Sequence, residues 1–171
     1  MQHGFGYSDL ENNILTGDHG KLKYIILLAY SLLIPGTGCV MRIASVSKTI
    51  TMAVLAKLWQ EGKVDLDKDI SEYVPEFPRK VVDGKEVIIT VRQLCCHMGG
   101  IRHYTKKGEQ DEDEFSLKEY FLKETFATTD ESLKLFQDDE LLSAPGTEFH
   151  YTTHGFTLLA KIIENVTGNS L

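Results

Sequence analysis

The pair of residues with the clearest capacity for chemistry is a serine followed three positions later by a lysine. Ser45 and Lys48 lie in RIASVSKTITMAV, residues 42–54, where an apolar helix is predicted to begin. Residues three apart share one face of a helix, so the Lys48 amine can reach the Ser45 hydroxyl. A serine hydroxyl is a weak nucleophile until a base takes its proton, and a partly buried lysine can be that base. The pattern is short, and by itself it favours the plainer interpretation of a helix-capping serine beside an exposed lysine.

A tyrosine in the second half of the sequence could carry protons for such a pair. Tyr151 follows a turn at residues 144–146 and precedes Thr153 and an apolar helical stretch. A phenol beside a lysine ammonium loses its proton more readily, so it can exchange protons with a serine or a leaving group. The plainer interpretation is a tyrosine that packs under the last helix.

Two apolar helices would have to position these residues. The first is predicted over 46–61 and stops at Gly62, and the second is predicted over 155–166 and is capped by Gly168. Both show apolar residues on one face at helical spacing. In the first helix these residues are Ile50, Val54, Leu55, Leu58 and Trp59, and in the second they are Leu158, Leu159, Ile162 and Ile163.

Shorter elements are predicted between the two helices. Asp83 and Gly84 lie between two stretches in which apolar and polar residues alternate, which indicates a hairpin. Thr90 and Gln93 match a capping box. The predicted elements are a strand over 4–12, the hairpin over 81–89, helices over 90–98, 116–124 and 130–136, an irregular surface stretch over 63–78 and a charged loop over 106–114.

The composition narrows the class of protein. The chain has 171 residues, of which 42% are hydrophobic and 25% charged, as is typical of one globular domain. The net charge is −7 and no basic block occurs, so no nucleic-acid partner is expected. The three cysteines are an odd number with two adjacent members, which favours reduced thiols in an intracellular compartment.

Targeting and membrane signals are not expected in this sequence. The opening residues MQHGFGYSDLENN have neither the basic and apolar regions of a signal peptide nor the arginines of a transit peptide. The strongest apolar run is Tyr24–Ile34. It is much shorter than the roughly 20 residues that cross a bilayer, so a buried helix or strand is predicted there.

Cysteines and histidines near the middle of the chain invite a metal interpretation that their spacing does not favour. Cys95–His97 are consecutive, with His103 nearby, and neighbouring side chains on a helix point about 100° apart. Such residues rarely share one ion. His150 and His154 are four apart but lack the glutamate of an H-E-x-x-H site. No metal site is therefore expected.

Several motifs together resemble the serine β-lactamase-like family of class C β-lactamases, DD-peptidases and esterases. VMRIASVSKT, AKLWQEGK, YVPEFP, ITVRQLCCHMGGI and YTTHGFTLLA occur in the order and rough spacing of that family. The likeness is greatest to its animal mitochondrial, peptidase-type members, and it covers residues 4–11 and 40–171. It implies an α/β fold of the β-lactamase/DD-peptidase type. It also implies that Ser45 is the acyl-accepting nucleophile, Lys48 its activating partner and Tyr151 the proton-exchange residue.

The sequence departs from the family pattern in several places. The family's Tyr-x-Asn motif is Tyr151-Thr152-Thr153 here, so the substrate-binding residue would be Thr153, which lacks the amide. The third motif, a Lys-Thr-Gly or His-x-Gly strand that completes the oxyanion hole, is not among the 171 residues. Residues 13–37 have no counterpart in the family and are interpreted as an atypical insert.

These departures predict one incomplete domain over 1–171, mostly the helical lobe with a remnant of the sheet. A truncated sheet would leave the apolar face of the last helix uncovered at Leu158, Leu159 and Ile162. An uncovered apolar face of this kind would make the chain poorly stable.

The resulting functional hypothesis is a mitochondrial serine peptidase that acts on a peptide or acyl substrate through an acyl-enzyme. The resemblance further implies self-assembly into oligomers or filaments, a link to lipid metabolism, and no metal or organic cofactor. The 171 residues are expected to be inactive as they stand. Alternatives left open are a non-catalytic scaffold, a small-substrate esterase or β-lactamase, and a cytoplasmic location.

Overall fold

The chain divides into two units that are each described by themselves. The structure, a computed structural model, describes residues 7–9, 14–15, 43–104, 119 and 125–170. The first compact unit is Met1–Thr49 and the second is Ile50–Leu171.

The first unit contains a short strand pair and the start of a long helix. Strand β1, Tyr7–Asp9, pairs antiparallel with strand β2, Ile14–Leu15, and lies within the strand predicted over 4–12. A turn of 3-10 helix at Ala44–Val46 leads into helix α1, Ser47–Gln60. The prediction of a helix over 46–61 is confirmed.

The second unit combines a hairpin with helices joined by long irregular segments. Its described elements after α1 are a 3-10 turn at Ile70–Glu72, strands β3 (Lys80–Val82) and β4 (Lys85–Val87), and helices α2 (Val91–Cys95), α3 (Thr129–Leu133) and α4 (His154–Thr167). Glu119 is also helical.

Local sequence signals account for two of these elements. Strands β3 and β4 pair antiparallel around Asp83 and Gly84, whose φ angles of 51° and 73° are those of a tight hairpin turn. At the start of α2, the Thr90 hydroxyl accepts the Gln93 backbone N–H and the Gln93 side chain accepts the Thr90 N–H. The predicted hairpin and the predicted capping box are both confirmed.

The core of the second unit is built around α4, against which α2 and α3 pack. Leu158, Leu159 and Ile162 are fully buried. The expectation that they would be uncovered is therefore wrong, because α1, α2, α3 and the loops between them supply the apolar partners that a sheet was expected to supply. The other buried members of this cluster are Leu55, Leu58, Val64, Ile70, Val74, Phe77, Ile89, Val91, Leu94, Ile101, Leu133, Phe136, Leu141, Phe156 and Ile163.

Two further expectations about burial need correction. Within α1, Leu55 and Leu58 are buried, but Ile50 and Trp59 are 58% and 55% exposed, so the buried face is narrower than predicted. The stretch 63–78 is irregular but not confined to the surface. Its backbone accepts the N–H groups of the first residues of α2, and this attachment turns four of its apolar side chains, Val64, Ile70, Val74 and Phe77, into the core.

Some predictions fall on residues that the structure does not describe. These are the apolar run Tyr24–Ile34, the charged loop over 106–114, the helix over 116–124 apart from Glu119, and the insert over 13–37 apart from β2. Among the described residues, no helix is long and apolar enough to cross a membrane.

Candidate active site

Ser45 and Lys48 are in contact at the start of α1, within the first unit. The Lys48 Nζ lies 3.4 Å from the Ser45 Oγ. Ser45 is exposed and Lys48 is half-buried, so a substrate carbonyl can approach the hydroxyl while the amine stays beside it. Contacts between a nucleophile and its base are often this long before substrate binds. The geometry therefore allows the chemistry that the S-x-x-K pattern suggested, while the catalytic roles of both residues stay a prediction.

The backbone just before Ser45 is strained. Ala44 has a φ of 45°, in the left-handed region that residues with a Cβ rarely occupy. Such a conformation costs about 1–2 kcal/mol in a non-glycine residue. The Ser47 N–H then donates to the carbonyls of Ala44 and Ser45. This turn places Ser45 ahead of the first turn of α1, and strain of this kind tends to be kept at functional sites.

Tyr151 lies in the second unit, in the segment that leads into α4. Its side chain is 41% exposed, so the phenol is accessible from solvent. The ring packs against the His97 imidazole, with centroids 4.5 Å apart, and edge-on against the His103 imidazole at 5.6 Å. Two histidines therefore fix the orientation of the tyrosine ring.

Thr152, the residue after Tyr151, is buried and anchors the segment. Its N–H donates to His97 Nδ1 over 3.1 Å, and its hydroxyl donates to the Arg102 carbonyl over 2.6 Å. The same hydroxyl accepts the N–H of Gly155 at the start of α4. A Cβ at Gly155 would lie 2.8 Å from the Thr152 methyl carbon, so this close approach requires glycine.

Thr153 is the residue that the sequence predicts to bind substrate. It is half-buried at the N-cap of α4, where its carbonyl accepts the Phe156 N–H over 2.9 Å. Its N–H donates to His103 Nδ1 over 3.2 Å, and its hydroxyl accepts from the Tyr104 phenol over 3.5 Å. The side chain is thus held at the surface of the segment that carries Tyr151.

The segment before Tyr151 runs alongside the segment that follows α2. Gly100, with a φ of 73°, allows the two backbones to approach, because a Cβ there would lie 2.3 Å from the Ser143 carbonyl oxygen. Backbone hydrogen bonds of 2.8 Å join Leu142 to Gly100, Gly146 to Met98 and His150 to His97.

A buried arginine lies beneath the two segments. The Arg102 side chain is 1% exposed and forms a bidentate ion pair with Glu119, both contacts being 2.9 Å. Its Nε donates to Asp139 over 2.7 Å, and the Nε2 of buried His154 lies 2.9 Å from the Glu119 carboxylate. These four residues join distant parts of the second unit in one polar cluster.

Burial and hydrogen bonds shift the pKa of each titratable group in this cluster in opposite directions. Burial lowers the pKa of Arg102, but the hydrogen bonds to Glu119 and Asp139 outweigh burial and raise it above its usual value. Burial raises the pKa of Glu119, and the hydrogen bonds from Arg102 and His154 bring it below its usual value. Burial lowers the pKa of His154, despite the opposing Glu119 hydrogen bond, so its imidazole is neutral at pH 7.

The structural roles of His97, His103 and Arg102 were not predicted from the sequence. The two histidines were considered only as metal ligands, whereas their Nδ1 atoms accept backbone N–H groups. The neighbouring Cys95 is half-buried, and burial raises the pKa of its thiol to about 11. The sequence feature that could have indicated these roles is the placement of two histidines on either side of the Gly99-Gly100 turn.

A surface groove elsewhere in the second unit does not contain the predicted site residues. It has a volume of about 750 Å³ and lies between residues 126–132 and the C-terminal end of α4. None of Ser45, Lys48, Tyr151 or Thr153 lines it.

Comparison with known proteins defines the class to which this fold and these residues belong. Residues 35–171 match the family described as Beta-lactamase. The chain is 34% identical to the Mus musculus serine beta-lactamase-like protein LACTB, mitochondrial, over 96% of its own length and 37% of that protein. The chain therefore belongs to the β-lactamase family of serine hydrolases, and it spans just over a third of the length of this relative.

Solved structures confirm the predicted type of fold. EstCE1, a hydrolase with promiscuous acyltransferase activity, aligns with a TM-score of 0.65 at 22% identity, over 96% of this chain and 38% of that one. The octameric penicillin-binding protein homologue from Pyrococcus abyssi aligns with a TM-score of 0.63 at 24% identity, over 97% of this chain and 32% of that one. At these identities the likeness shows the β-lactamase/DD-peptidase type of fold.

Proposed function

We propose that this chain is the nucleophile-bearing part of a serine peptidase that acts through an acyl-enzyme. The observation that carries the proposal is the contact of 3.4 Å between Lys48 Nζ and Ser45 Oγ, at the start of a helix, in a member of the β-lactamase family. The strained turn at Ala44 supports it, because it presents the serine hydroxyl at the surface next to the lysine.

In the proposed reaction, Ser45 attacks the carbonyl carbon of a peptide or other acyl substrate. The Lys48 amine takes the hydroxyl proton as the new C–O bond forms, and the positive end of the helix dipole favours the oxyanion. Collapse of the tetrahedral intermediate expels the leaving group, which takes a proton, and leaves an ester on Ser45. Water then attacks this ester, its oxygen leaves with the acyl group as the carboxylic acid product, and a proton returns to the Ser45 oxygen.

For Tyr151 and Thr153 the proposal rests on the sequence resemblance. Tyr151 would pass the proton to the leaving group, and its solvent-accessible phenol is suited to that task. Thr153 would hydrogen-bond the substrate through its hydroxyl. A threonine at this position, in place of the family's asparagine, supports a peptidase rather than a β-lactamase.

The wider biological role is also proposed from the relatives. The name of the mouse relative supports a mitochondrial location. The octameric homologue from Pyrococcus abyssi supports assembly into homo-oligomers. The family resemblance supports filaments and a link to lipid metabolism. We further propose that the 171 residues alone do not turn over substrate, since the sequence has no Lys-Thr-Gly and its His-x-Gly match, His97–Gly99, does not lie on a strand.

Two other functions have a specific observation in their favour. A non-catalytic scaffold is favoured by the same missing third motif, since the chain keeps a well-packed core without it. A small-substrate esterase is favoured by the fold shared with EstCE1.

A substrate panel separates these functions. The longest product that the gene encodes is incubated with a mixed peptide library, a chromogenic acyl ester and a chromogenic β-lactam, each alongside its Ser45→Ala variant. Cleavage of peptides that is lost in Ser45→Ala is expected. Turnover of the ester or the β-lactam alone would replace the peptidase proposal. A folded protein that turns over none of the three would favour the scaffold.

A further inference from the structure

We propose that His97 and His103 act together as positioning residues for the segment that carries Tyr151. Their two Nδ1 atoms accept the consecutive backbone N–H groups of Thr152 and Thr153, over 3.1 and 3.2 Å. The consequence for catalysis rests on the proposed function, but the two hydrogen bonds do not.

The hydrogen bonds specify the chemical form of both imidazoles. A nitrogen that accepts a hydrogen bond carries no proton, so each ring must be neutral with its proton on Nε2. The opposite tautomer or an imidazolium would place an N–H against the N–H of Thr152 or Thr153. One proton in the wrong place on either ring therefore removes a contact to the segment.

His97 holds the segment in three ways. Its Nδ1 accepts from Thr152, its carbonyl accepts the His150 N–H over 2.8 Å, and its ring lies 4.5 Å from the Tyr151 ring. Its own φ is 58°, in the left-handed region. Histidine and asparagine are among the non-glycine residues enriched in that region, so the backbone here also favours a residue of this kind.

His103 holds the other side of the Tyr151 segment. Its Nδ1 satisfies the Thr153 N–H at the N-cap of α4, where no side chain of the cap residue itself makes a capping bond. N–H groups at a helix start have no partner within the helix, so an outside acceptor is needed there. The ring stacks on Tyr104 at 3.8 Å and meets Tyr151 edge-on at 5.6 Å.

The arrangement explains how an exposed tyrosine can have a defined direction. The Tyr151 backbone is followed by two residues whose N–H groups are both fixed, and its ring contacts both of the imidazoles that fix them. Small errors in the placement of a proton donor are costly, since a displacement of about 1 Å can reduce a rate on the order of 100-fold. The histidines would act through Tyr151 and not on the substrate.

The direct test is nuclear magnetic resonance on the uniformly ¹⁵N-labelled protein at neutral pH. We expect both Nδ1 atoms to resonate as unprotonated ring nitrogens. We also expect couplings across the hydrogen bonds between Thr152 N and His97 Nδ1 and between Thr153 N and His103 Nδ1. A protonated Nδ1 on either ring, or the absence of both couplings in a folded protein, would overturn the proposal whatever the enzyme activity.

A second test uses substitutions that keep or remove the acceptor. In His97→Asn and His103→Asn the amide oxygen takes the place of Nδ1, whereas His97→Leu and His103→Leu offer no acceptor. On the longest gene product we expect kcat to fall roughly 10- to 100-fold in the leucine variants, with KM little changed and partial recovery in the asparagine variants. His150→Leu is the matched control in the same segment. It keeps the backbone N–H that the His97 carbonyl accepts and removes only a ring that contacts Ser143 and Glu148, so it should keep kcat.

The outcomes separate this proposal from the proposed function. If kcat falls equally in the leucine and asparagine variants, the histidines act only through general packing, and the positioning role is wrong. If Tyr151→Phe leaves the rate unchanged while the two couplings are present, the role of Tyr151 fails and the histidine contacts stand.

Discussion

Arg102 and Glu119 form a bidentate ion pair in the interior of the second unit, although 16 residues separate them in the sequence and most of those lie outside the described ranges. The same guanidinium reaches Asp139, so one buried cation pairs with two carboxylates. The Arg102 carbonyl also accepts the Thr152 hydroxyl. The ion pair therefore stabilises the part of the fold that holds the Tyr151 segment.

Removal of this cation should be severely destabilising. Arg102→Met takes the buried cation away from the half-buried carboxylates of Glu119 and Asp139. Breaking a buried ion pair by removing one partner typically costs about 3–5 kcal/mol of unfolding free energy. Arg79→Met is the matched control, because Arg79 is about half exposed where it pairs with Asp69 and such pairs contribute about 1 kcal/mol or less. Urea unfolding measures both. Similar losses of unfolding free energy in the two variants would show that the buried cluster is not important for stability.

The close approach at Gly100 provides a second test of the fold. Gly100 and Gly84 have the same φ of 73°, but a Cβ would meet the Ser143 oxygen at 2.3 Å in the first case and nothing within 4 Å in the second. Gly84→Ala should cost only about 1 kcal/mol for the left-handed backbone. Gly100→Ala should cost several times more, since the two backbone segments have to separate. Thermal unfolding gives the Tm of both variants. Equal shifts in Tm would contradict the close approach of the two backbones at Gly100.

Stability should depend on pH through His154. Burial holds the pKa of this imidazole below its usual value, so the unfolded chain takes up a proton near pH 6.5 while the folded chain stays neutral. The unfolded state then binds more protons, and the unfolding free energy falls as the pH drops below about 6.5, by at most about 1.4 kcal/mol per pH unit.

Urea unfolding between pH 7.5 and 5 should show this slope in the wild type and a shallower one in His154→Gln. The glutamine stays neutral and keeps a donor for the Glu119 carboxylate. An unchanged slope in His154→Gln would mean that this histidine is not held neutral in the folded protein.

The proposed role of Lys48 predicts a loss of nucleophile reactivity without a loss of fold. Lys48→Met removes the base from Ser45 and should slow acylation by a fluorophosphonate roughly 10²- to 10⁴-fold. Lys57→Met on the same helix removes an exposed lysine that pairs with Glu61, and it should leave the rate unchanged. Equal rates in the wild type and Lys48→Met, measured on the longest gene product, would exclude Lys48 as the activating base.

Local signals in the sequence predicted the elements that depend on neighbouring residues. The Thr90–Gln93 capping box, the Asp83-Gly84 turn and α1 each follow from a few adjacent residues, and each is confirmed. The boundaries were less accurate: α2 ends at Cys95 before the predicted limit at 98, because His97 already adopts a left-handed conformation.

Features that depend on distant residues could not be predicted in the same way. The burial of Leu158 depends on loops and helices far away in the sequence, so the helix pattern alone could not show what covers it. The acceptors for Thr152 and Thr153 lie about 50 residues earlier, at His97 and His103. Contacts of that separation carry no periodic signal, and the histidines were therefore considered only for metal binding.

The proposed function requires that Ser45 is a nucleophile, and site-resolved covalent labelling can identify the residue that reacts. The longest gene product and the 171-residue chain are treated with a fluorophosphonate, and the modified residue is located by tandem mass spectrometry. Ser45→Ala is the test variant and Ser47→Ala the matched control, since Ser47 is an exposed serine in the first turn of the same helix. We expect one adduct on Ser45 of the longest product, absent in Ser45→Ala and present in Ser47→Ala. A folded product with no adduct, or an adduct that persists in Ser45→Ala, would contradict it.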